Sequence, residues 1–296
     1  MFDTMIIGQI CMDTNTDFDG RTEHRYGGAV LFSGHAAAAM TTGQVAVVPK
    51  CVPGGDIDPY QAFADCPNVR VFARPTHANT VMKNVYFTAD REKRRSRCLA
   101  VIDGYTPEDI PAEETLVYHL AGLTAGDISG ELIRELSKRA DVAVDVQCMM
   151  RHVLEDRTLK LFDWEEKKEY LPYIRYLKTD AAEAEALTGT ADREEAARML
   201  YSWGAKEVMI THNTEVLVYD GSAMYRAPLR PRNLSGRTGR GDTTFAGYLI
   251  ERQHSGIQEA VNFAAALVSL KMETPGPFTG SREDVEAYRQ EMGYWE

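Results

Sequence analysis

The sequence predicts an α/β protein built on a mainly parallel sheet with helices on both faces. Along most of the 296 residues, short apolar segments alternate with segments of helical periodicity. This alternation is typical of repeated strand–helix–strand units. Two stretches, about 11–28 and 69–102, are instead polar, rich in threonine and tyrosine, and without helical periodicity. They predict antiparallel strands or hairpins that form a small appended sheet, either a lid over a cleft or an edge extension with no functional role.

The individual elements follow from the same periodicities. Short apolar runs predict strands at 5–10, 45–48, 116–120, 142–146, 174–178 and 207–211. Helical spacing predicts helices at 29–40, 129–138, 181–187, 193–203, 243–254, 257–272 and 282–292. Between these groups, strands at 215–219 and 223–227 flank Asp220 and Gly221, a favourable hairpin turn.

Composition excludes several classes of partner. The net charge of −11 disfavours nucleic acid and anionic membranes. No apolar run is long enough to span a membrane, and the first residues lack a basic leader region. The five cysteines contain no C-x-x-C pair, which is typical of reduced thiols. We therefore expect a cytoplasmic protein with neither a nucleic-acid nor a membrane partner.

The segment SGRTGRGDTTFAG, residues 235–247, carries the clearest chemical signal. Glycines let a turn fold tightly, and their amides, placed at a helix N-terminus, favour a bound anion. Asp242 follows this turn, where a carboxylate suits a base for a hydroxyl that is being phosphorylated. The alternative is an ordinary glycine-rich turn in which Asp242 caps the helix. A Walker loop is excluded because no Gly-Lys-Ser/Thr follows.

This segment resembles the D-T-x-G-A-G-D signature of the ribokinase/PfkB family of sugar and nucleoside kinases, with Gly236 and Arg240 replacing the first aspartate and the alanine. The resemblance implies one kinase domain over residues 1–296. Its fold would be a ribokinase-like three-layer α/β sandwich with a mainly parallel central sheet and a small β-sheet lid. It also implies ATP and Mg²⁺ as cofactors and leaves a monovalent cation as a further candidate. Asp242 would be the base, and Gly239, Arg240 and Gly241 would form the anion hole.

Other segments resemble the substrate side of the same family. Asp13 lies where family members grip sugar hydroxyls, and Gly27-Gly28 lies where a glycine pair opens the substrate site. The segments NTVMKNVYFTADREKRRSR, from residue 79, and DVQCMMR, from residue 145, resemble those of a subgroup that contains myo-inositol kinases. The departures are Cys148 in place of a glycine and a missing asparagine in GGAVLFSG. The substrate-binding residues implied by the resemblance are Asp13, Gly27, Gly28, Asn84, Arg97, Gln147 and Arg151.

The donor side is implied by three further segments. KTDAAEAEALTG resembles the family's N-x-x-E motif, so Asp180 and Glu183 would organise Mg²⁺, through water. The alternative is an acidic first turn that suits the helix dipole. Thr211 matches a threonine that contacts the nucleotide, and the segment NFAAALVSLK, from Asn262, resembles the helix that backs the adenine. For that helix, simple core packing is the alternative.

Taken together, the resemblance predicts an ATP-dependent kinase for a hydroxyl of a small sugar or cyclitol, with myo-inositol the first candidate. One alternative is a nucleoside kinase of the same fold, with Tyr26, Phe32 and Tyr86 as candidates to stack on a base. The other is a non-catalytic sugar-binding sensor. A homodimer formed through the small sheet is a further expectation.

Overall fold

The computed structural model describes residues 1–88 and 93–295. Residues 89–92, within the predicted segment 69–102, lie outside the described residues. The described strands are β1 (Thr4–Gly8), β2 (Cys11–Thr16), β3 (Thr22–Gly27), β4 (Val45–Cys51), β5 (Val69–Val71), β6 (Arg74–Pro75), β7 (Thr80–Tyr86), β8 (Arg94–Ala100), β9 (Val117–Ala121), β10 (Asp141–Asp145), β11 (Arg151–Val153), β12 (Leu159–Leu161), β13 (Tyr176–Asp180), β14 (Glu207–Thr211), β15 (Glu215–Tyr219) and β16 (Met224–Pro228). The described α-helices are α1 (Ala29–Met40), α2 (Gly130–Leu136), α3 (Gln147–Met150), α4 (Lys167–Tyr170), α5 (Ala181–Thr188), α6 (Arg193–Ser202), α7 (Arg240–Glu251), α8 (Ile257–Lys271) and α9 (Arg282–Met292).

The central sheet has ten strands in the order β16-β15-β14-β13-β10-β9-β1-β4-β5, with β6 also paired to β4. Strands β15 and β16 pair antiparallel and the others pair parallel. The predicted mainly parallel sheet is therefore confirmed. The antiparallel edge comes from the hairpin that was predicted around Asp220 and Gly221.

Two hydrophobic cores lie on opposite faces of this sheet, because successive side chains of a strand alternate in direction. Ile6 of β1 packs in one core with α1, α7, α8 and α9. Met5 and Ile7 pack in the other with α2, α5 and α6. This arrangement of helices, sheet and helices is the predicted three-layer sandwich.

A separate four-stranded sheet has the order β3-β2-β7-β8. Its outer pairs are antiparallel, as predicted, but β2 and β7 are parallel. They run in the same direction because each leaves the same edge of the central sheet, β2 after β1 and β7 after β6. The prediction was wrong at 69–75, since β5 and β6 extend the central sheet instead.

The predicted helices near the C-terminal end are present, with one difference. Helix α7 begins at Arg240, three residues before the predicted start, so the glycine-rich turn leads directly into its first turn. Within residues 1–88 and 93–295, no helix combines the length and the apolar character that crossing a membrane would need.

Candidate active site

A cavity of about 480 Å³ lies between the carboxyl edge of the central sheet, the small sheet and the loop before α7. In parallel α/β sheets this edge is where ligands bind, because the strands end there and loops diverge. Strands β13 and β14 end at Asp180 and Thr211, and both of these residues line the cavity.

The cavity brings together most of the residues implied by the family resemblance. Those that line it are Asp13, Gly28, Asn84, Gln147, Arg151, Asp180, Glu183, Thr211, Gly239, Arg240, Gly241 and Asp242. Three others are absent from the cavity wall of the described structure: Gly27, Arg97 and Asn262.

Each of these three has a physical reason for its position. Arg97 is exposed and lies on the opposite face of β8 from Arg94 and Ser96, which do line the cavity. Asn262 is buried within α8 and accepts a hydrogen bond from Gln258 Nε2 at 2.9 Å, so core packing explains it. Gly27 supports the site from behind: a Cβ there would lie 2.4 Å from Asp13 Oδ2.

The conformation of the loop before α7 depends on two glycines, Gly239 and Gly241. Gly239 has φ 77°, a left-handed conformation that favours glycine, and it occupies the N-cap position of α7. A Cβ there would also lie 2.2 Å from the Phe32 ring. Gly241 has an ordinary φ, but its Cβ would lie 3.0 Å from Lys178 Nζ. Both glycines therefore let the loop approach its neighbours closely.

Asp242 is in the first turn of α7 and not at its N-cap, which removes the simple capping interpretation. Burial, together with the nearby Asp145, raises the pKa of its carboxyl to about 6, against the opposing effect of Lys178, Arg151 and Lys271. A pKa near 6 leaves the carboxylate ionised at neutral pH and more basic than an ordinary aspartate.

Lys178 is a buried cation beneath this loop. Its Nζ lies 2.8 Å from Asp145 Oδ2, and both side chains are almost fully buried. Burial opposes its charge, but Asp145, Glu183 and Asp242 together hold the pKa of Lys178 above its ordinary value. The cavity therefore contains a fixed positive charge next to the candidate anion hole.

Asp180 and Glu183 form a reciprocal capping box at the start of α5. Asp180 Oδ1 accepts from the Glu183 amide, and Glu183 Oε2 accepts from the Asp180 amide, both at 2.8 Å. Their other carboxylate oxygens take no part in the cap. Glu183 Oε1 lies 3.7 Å from Arg151, and burial raises the pKa of Glu183 despite Lys178. The cap fixes the position of both carboxylates, and their role in holding a hydrated Mg²⁺ stays a prediction.

The cavity wall also contains short polar side chains. Asp13 is buried and accepts a hydrogen bond from the Cys11 thiol at 2.8 Å. Burial raises the pKa of Asp13 to about 6, although Cys11 and Arg94 lower it. Ser96 donates to Asn84 Oδ1 at 2.7 Å, so the orientation of the Asn84 amide is fixed.

The unusual Cys148 is accommodated without entering the cavity. Its thiol donates to Asp145 O at 3.1 Å, and Gly122 lies directly against it, since a Cβ on Gly122 would be 2.6 Å from Cys148 Cβ. The neighbouring Gln147 lines the cavity and donates to Gly122 O at 3.2 Å.

Sequence reasoning missed three charged residues of this region: Lys178, Arg94 and Lys271. Lys178 and Lys271 had a detectable signal, because each is the only lysine of its predicted element and stands beside apolar residues, in YLKTD and in AALVSLK. Such lysines are rarely buried without a partner. Arg94 had no such signal, because the sequence places several arginines close together on one strand.

Comparison with known proteins gives a consistent result. The model of the pfkB family of carbohydrate kinases matches residues 80–284. A cytidine kinase from Thermococcus kodakarensis is 25% identical in an alignment of 256 residues that covers 84% of this chain and 88% of that protein.

Solved structures resemble the whole chain. A pyrophosphate-dependent kinase of the ribokinase family, in a sulfate complex, is 34% identical, with a TM-score of 0.87 and coverage of 96% of this chain and 99% of that one. A pyrophosphate-dependent myo-inositol-1 kinase, converted into a myo-inositol-3 kinase by two substitutions, is 32% identical, with a TM-score of 0.86 and coverage of 99% and 100%. Ribokinase from Thermotoga maritima, 15% identical with a TM-score of 0.73 over 98% of this chain and all of that one, shares the fold.

Proposed function

This chain belongs to the pfkB family of carbohydrate kinases and is a phosphotransferase with an alcohol acceptor, and we propose that it phosphorylates a hydroxyl of a cyclitol, with myo-inositol as the first candidate. One observation carries this proposal. A single cavity contains Asp242, the loop before α7 and the hydrogen-bonding groups of Asp13, Asn84 and Gln147.

In the proposed mechanism, Asp242 accepts the proton of the attacking hydroxyl. The amides of Gly239, Arg240 and Gly241 stabilise charge on the transferring phosphoryl group, and the fixed ammonium of Lys178 adds to that field. Phosphoryl transfer depends mainly on alignment and charge stabilisation, so these groups suffice. Mg²⁺, held through water by Asp180 and Glu183, would neutralise charge on the donor phosphates. The small sheet would act as a lid that excludes water.

The acceptor side favours a neutral polyol. Asp13 and Asn84 are short, buried and held in place by hydrogen bonds. A site that bonds several hydroxyls discriminates sharply, because a missing partner leaves a buried polar group unpaired. The neighbour with bound myo-inositol, 33% identical with a TM-score of 0.85, supports a cyclitol here.

The phosphoryl donor has two candidates, ATP from the family resemblance and pyrophosphate from the similar solved kinases. The loop before α7 is joined to the end of α8: the Gly236 amide donates to Met272 O and Ser235 Oγ donates to Glu273 O, both at 2.7 Å. A Cβ on Gly236 would lie 1.9 Å from Thr274 O. The loop is therefore packed tightly against the end of α8, and pyrophosphate, the donor named for the similar solved kinases, is the first donor to test.

Asn84 and Ser96 are proposed to select the hydroxyl that is phosphorylated. In the myo-inositol-1 kinase above, leucine replaced an asparagine and a serine, and the product changed to that of a 3-kinase. Here a hydrogen-bonded asparagine–serine pair lines the cavity. We expect Asn84→Leu/Ser96→Leu to move phosphate to another position of the ring, as seen by ³¹P and ¹H NMR of the product. An unchanged product from an active double variant contradicts this role.

The nucleoside kinase is the second candidate function, favoured by the similarity to a cytidine kinase. Of the three aromatic residues suggested for stacking, Phe32 and Tyr86 line the cavity. Tyr26 does not, because its hydroxyl bonds to Asp56 O at 3.2 Å. A non-catalytic sensor would need neither Asp242 nor the glycine loop.

A donor-by-acceptor panel tests the proposal. Inositols, hexoses, pentoses and nucleosides are each assayed with ATP and with pyrophosphate, following ADP or phosphate release and confirming the product by NMR. We expect turnover of a cyclitol above all other acceptors. Faster turnover of cytidine or adenosine supports the nucleoside kinase, and binding of a polyol without turnover under any donor supports the sensor.

A further inference from the structure

Lys271, the last residue of α8, is a buried cation with an unusual set of partners. Its side chain is 2% exposed. Its Nζ donates to Gly236 O at 2.5 Å and also to Thr238 O. The ring of Phe32 lies 5.1 Å from the same nitrogen. Two main-chain carbonyls and an aromatic face thus surround one positive charge.

Both carbonyls belong to the loop that leads into α7. In a trans peptide the C=O and the following N–H point in opposite directions, and the described residues contain no cis peptide bond. When the carbonyls of Gly236 and Thr238 point at Lys271, the amides of Arg237 and Gly239 are directed away from it. Arg237, Thr238 and Gly239 line the cavity. The cation therefore fixes the orientation of the peptides that present this loop to the cavity.

The contact depends on Gly236, where the family signature has an aspartate. Because a Cβ at this position would lie 1.9 Å from Thr274 O and 3.0 Å from Lys271 O, only glycine lets the loop lie against the end of α8. The substitution brings the Gly236 carbonyl within reach of the ammonium.

Buried carbonyls that converge without a donor or a cation are costly. A potassium or ammonium ion satisfies such oxygens in the same way as a lysine ammonium. We propose that Lys271 is a tethered replacement for a monovalent cation, so that the loop before α7 is held in its anion-binding conformation without any added ion. Lys271 is thus a positioning residue, and its effect on catalysis rests on the proposed function.

The first test is kinetic. Initial rates are measured in buffer whose only cation is choline, and again with KCl or NH₄Cl at equal ionic strength. We expect less than about a twofold change for the wild type. Lys271→Ala should lose about 10²-fold in kcat in choline, the scale of a lost anion-hole donor, and should recover at least about tenfold with K⁺ or NH₄⁺. Lys206→Ala, at an exposed lysine, is the matched control and should behave as the wild type.

The second test is independent of activity. Because a ligand that binds only the folded state stabilises it, K⁺ should raise the melting temperature of Lys271→Ala relative to choline and should leave that of the wild type unchanged. If no acceptor and donor give turnover but this difference is seen, the proposed function fails and the cation replacement stands.

Four outcomes overturn the inference. They are strong activation of the wild type by K⁺, full activity of Lys271→Ala in choline, a folded variant that no cation rescues, and equal thermal responses of wild type and variant. If Lys271→Ala does not fold, the comparison of wild-type activity in choline and in K⁺ still tests the inference, because a wild-type enzyme that depends on K⁺ contradicts a built-in cation.

Discussion

Asp242 lies in the first turn of α7 without capping it, so its carboxylate is free for chemistry at the cavity. Asp242→Asn keeps the size of the side chain but cannot take a proton from a hydroxyl. We expect a loss of about 10²–10⁴-fold in kcat, with acceptor and donor dissociation constants nearly unchanged by calorimetry. A variant that keeps most of its kcat removes Asp242 from the role of base.

Arg240 lines the cavity at the first position of α7, where the family signature has an alanine. A guanidinium beside a bound phosphate makes charge-assisted hydrogen bonds. We expect Arg240→Ala to lower kcat/KM for the donor by about tenfold or more, in line with a bond to a charged group. Unchanged kcat and unchanged donor KM would assign the side chain no part in transfer.

At the scale of single residues, sequence reasoning predicted which residues line the cavity better than how charge is arranged around it. Asp242 and the glycine turn were evident because their spacing implies a local loop–helix geometry. Lys178 and Lys271 were missed because their roles come from contacts across the fold, with Asp145 and with Gly236 and Thr238. No local pattern predicts which buried lysine meets a carboxylate and which meets carbonyls.

At the scale of elements, Arg94 and Arg97 lie on opposite faces of strand β8. Both are exposed, but Arg94 lines the cavity and lowers the pKa of Asp13, whereas Arg97 lies on the other face of the strand. We expect Arg94→Ala to raise the acceptor KM by about tenfold, in line with a lost charged contact, and Arg97→Ala to change it less than about twofold. Equal effects of the two substitutions, measured in parallel, would contradict the assignment by strand face.

This distinction is a matter of register. The two-residue period of β8 was available from the sequence, but which face meets the cavity was not. The register is set by pairing with β7, which includes an irregularity between Val81 and Met82. The same limit explains the misassigned segment 69–75, where short strands pair with β4 and not with the small sheet.

At the scale of the whole molecule, buried carboxyls link the site to stability. Burial raises the folded-state pKa of Asp13 and Asp242 to about 6, from an ordinary 3.8. The folded state then binds protons more tightly than the unfolded state, so their contribution to stability is present below about pH 4 and is lost as pH rises through about 6.

Asp242→Asn should therefore gain stability relative to wild type as pH rises. Two pKa units correspond to about 3 kcal/mol, which we reduce to about 1–2 kcal/mol because the carboxyl borders an open cavity. We expect the melting-temperature difference between variant and wild type to grow by a few degrees between about pH 4 and pH 7. A constant or shrinking difference would mean that neighbouring cations outweigh burial at this carboxyl.

The position of β1 within the central sheet has a consequence for synthesis. β1 pairs with β4 on one side and with β9 on the other. A ribosome adds about 5–20 residues per second, so β1 waits on the order of 10 s before β9 has been made. Throughout that interval an apolar strand edge stays open, which is a template for aggregation. Nascent chains that stop between β4 and β9 should therefore depend on chaperones far more than the full chain does.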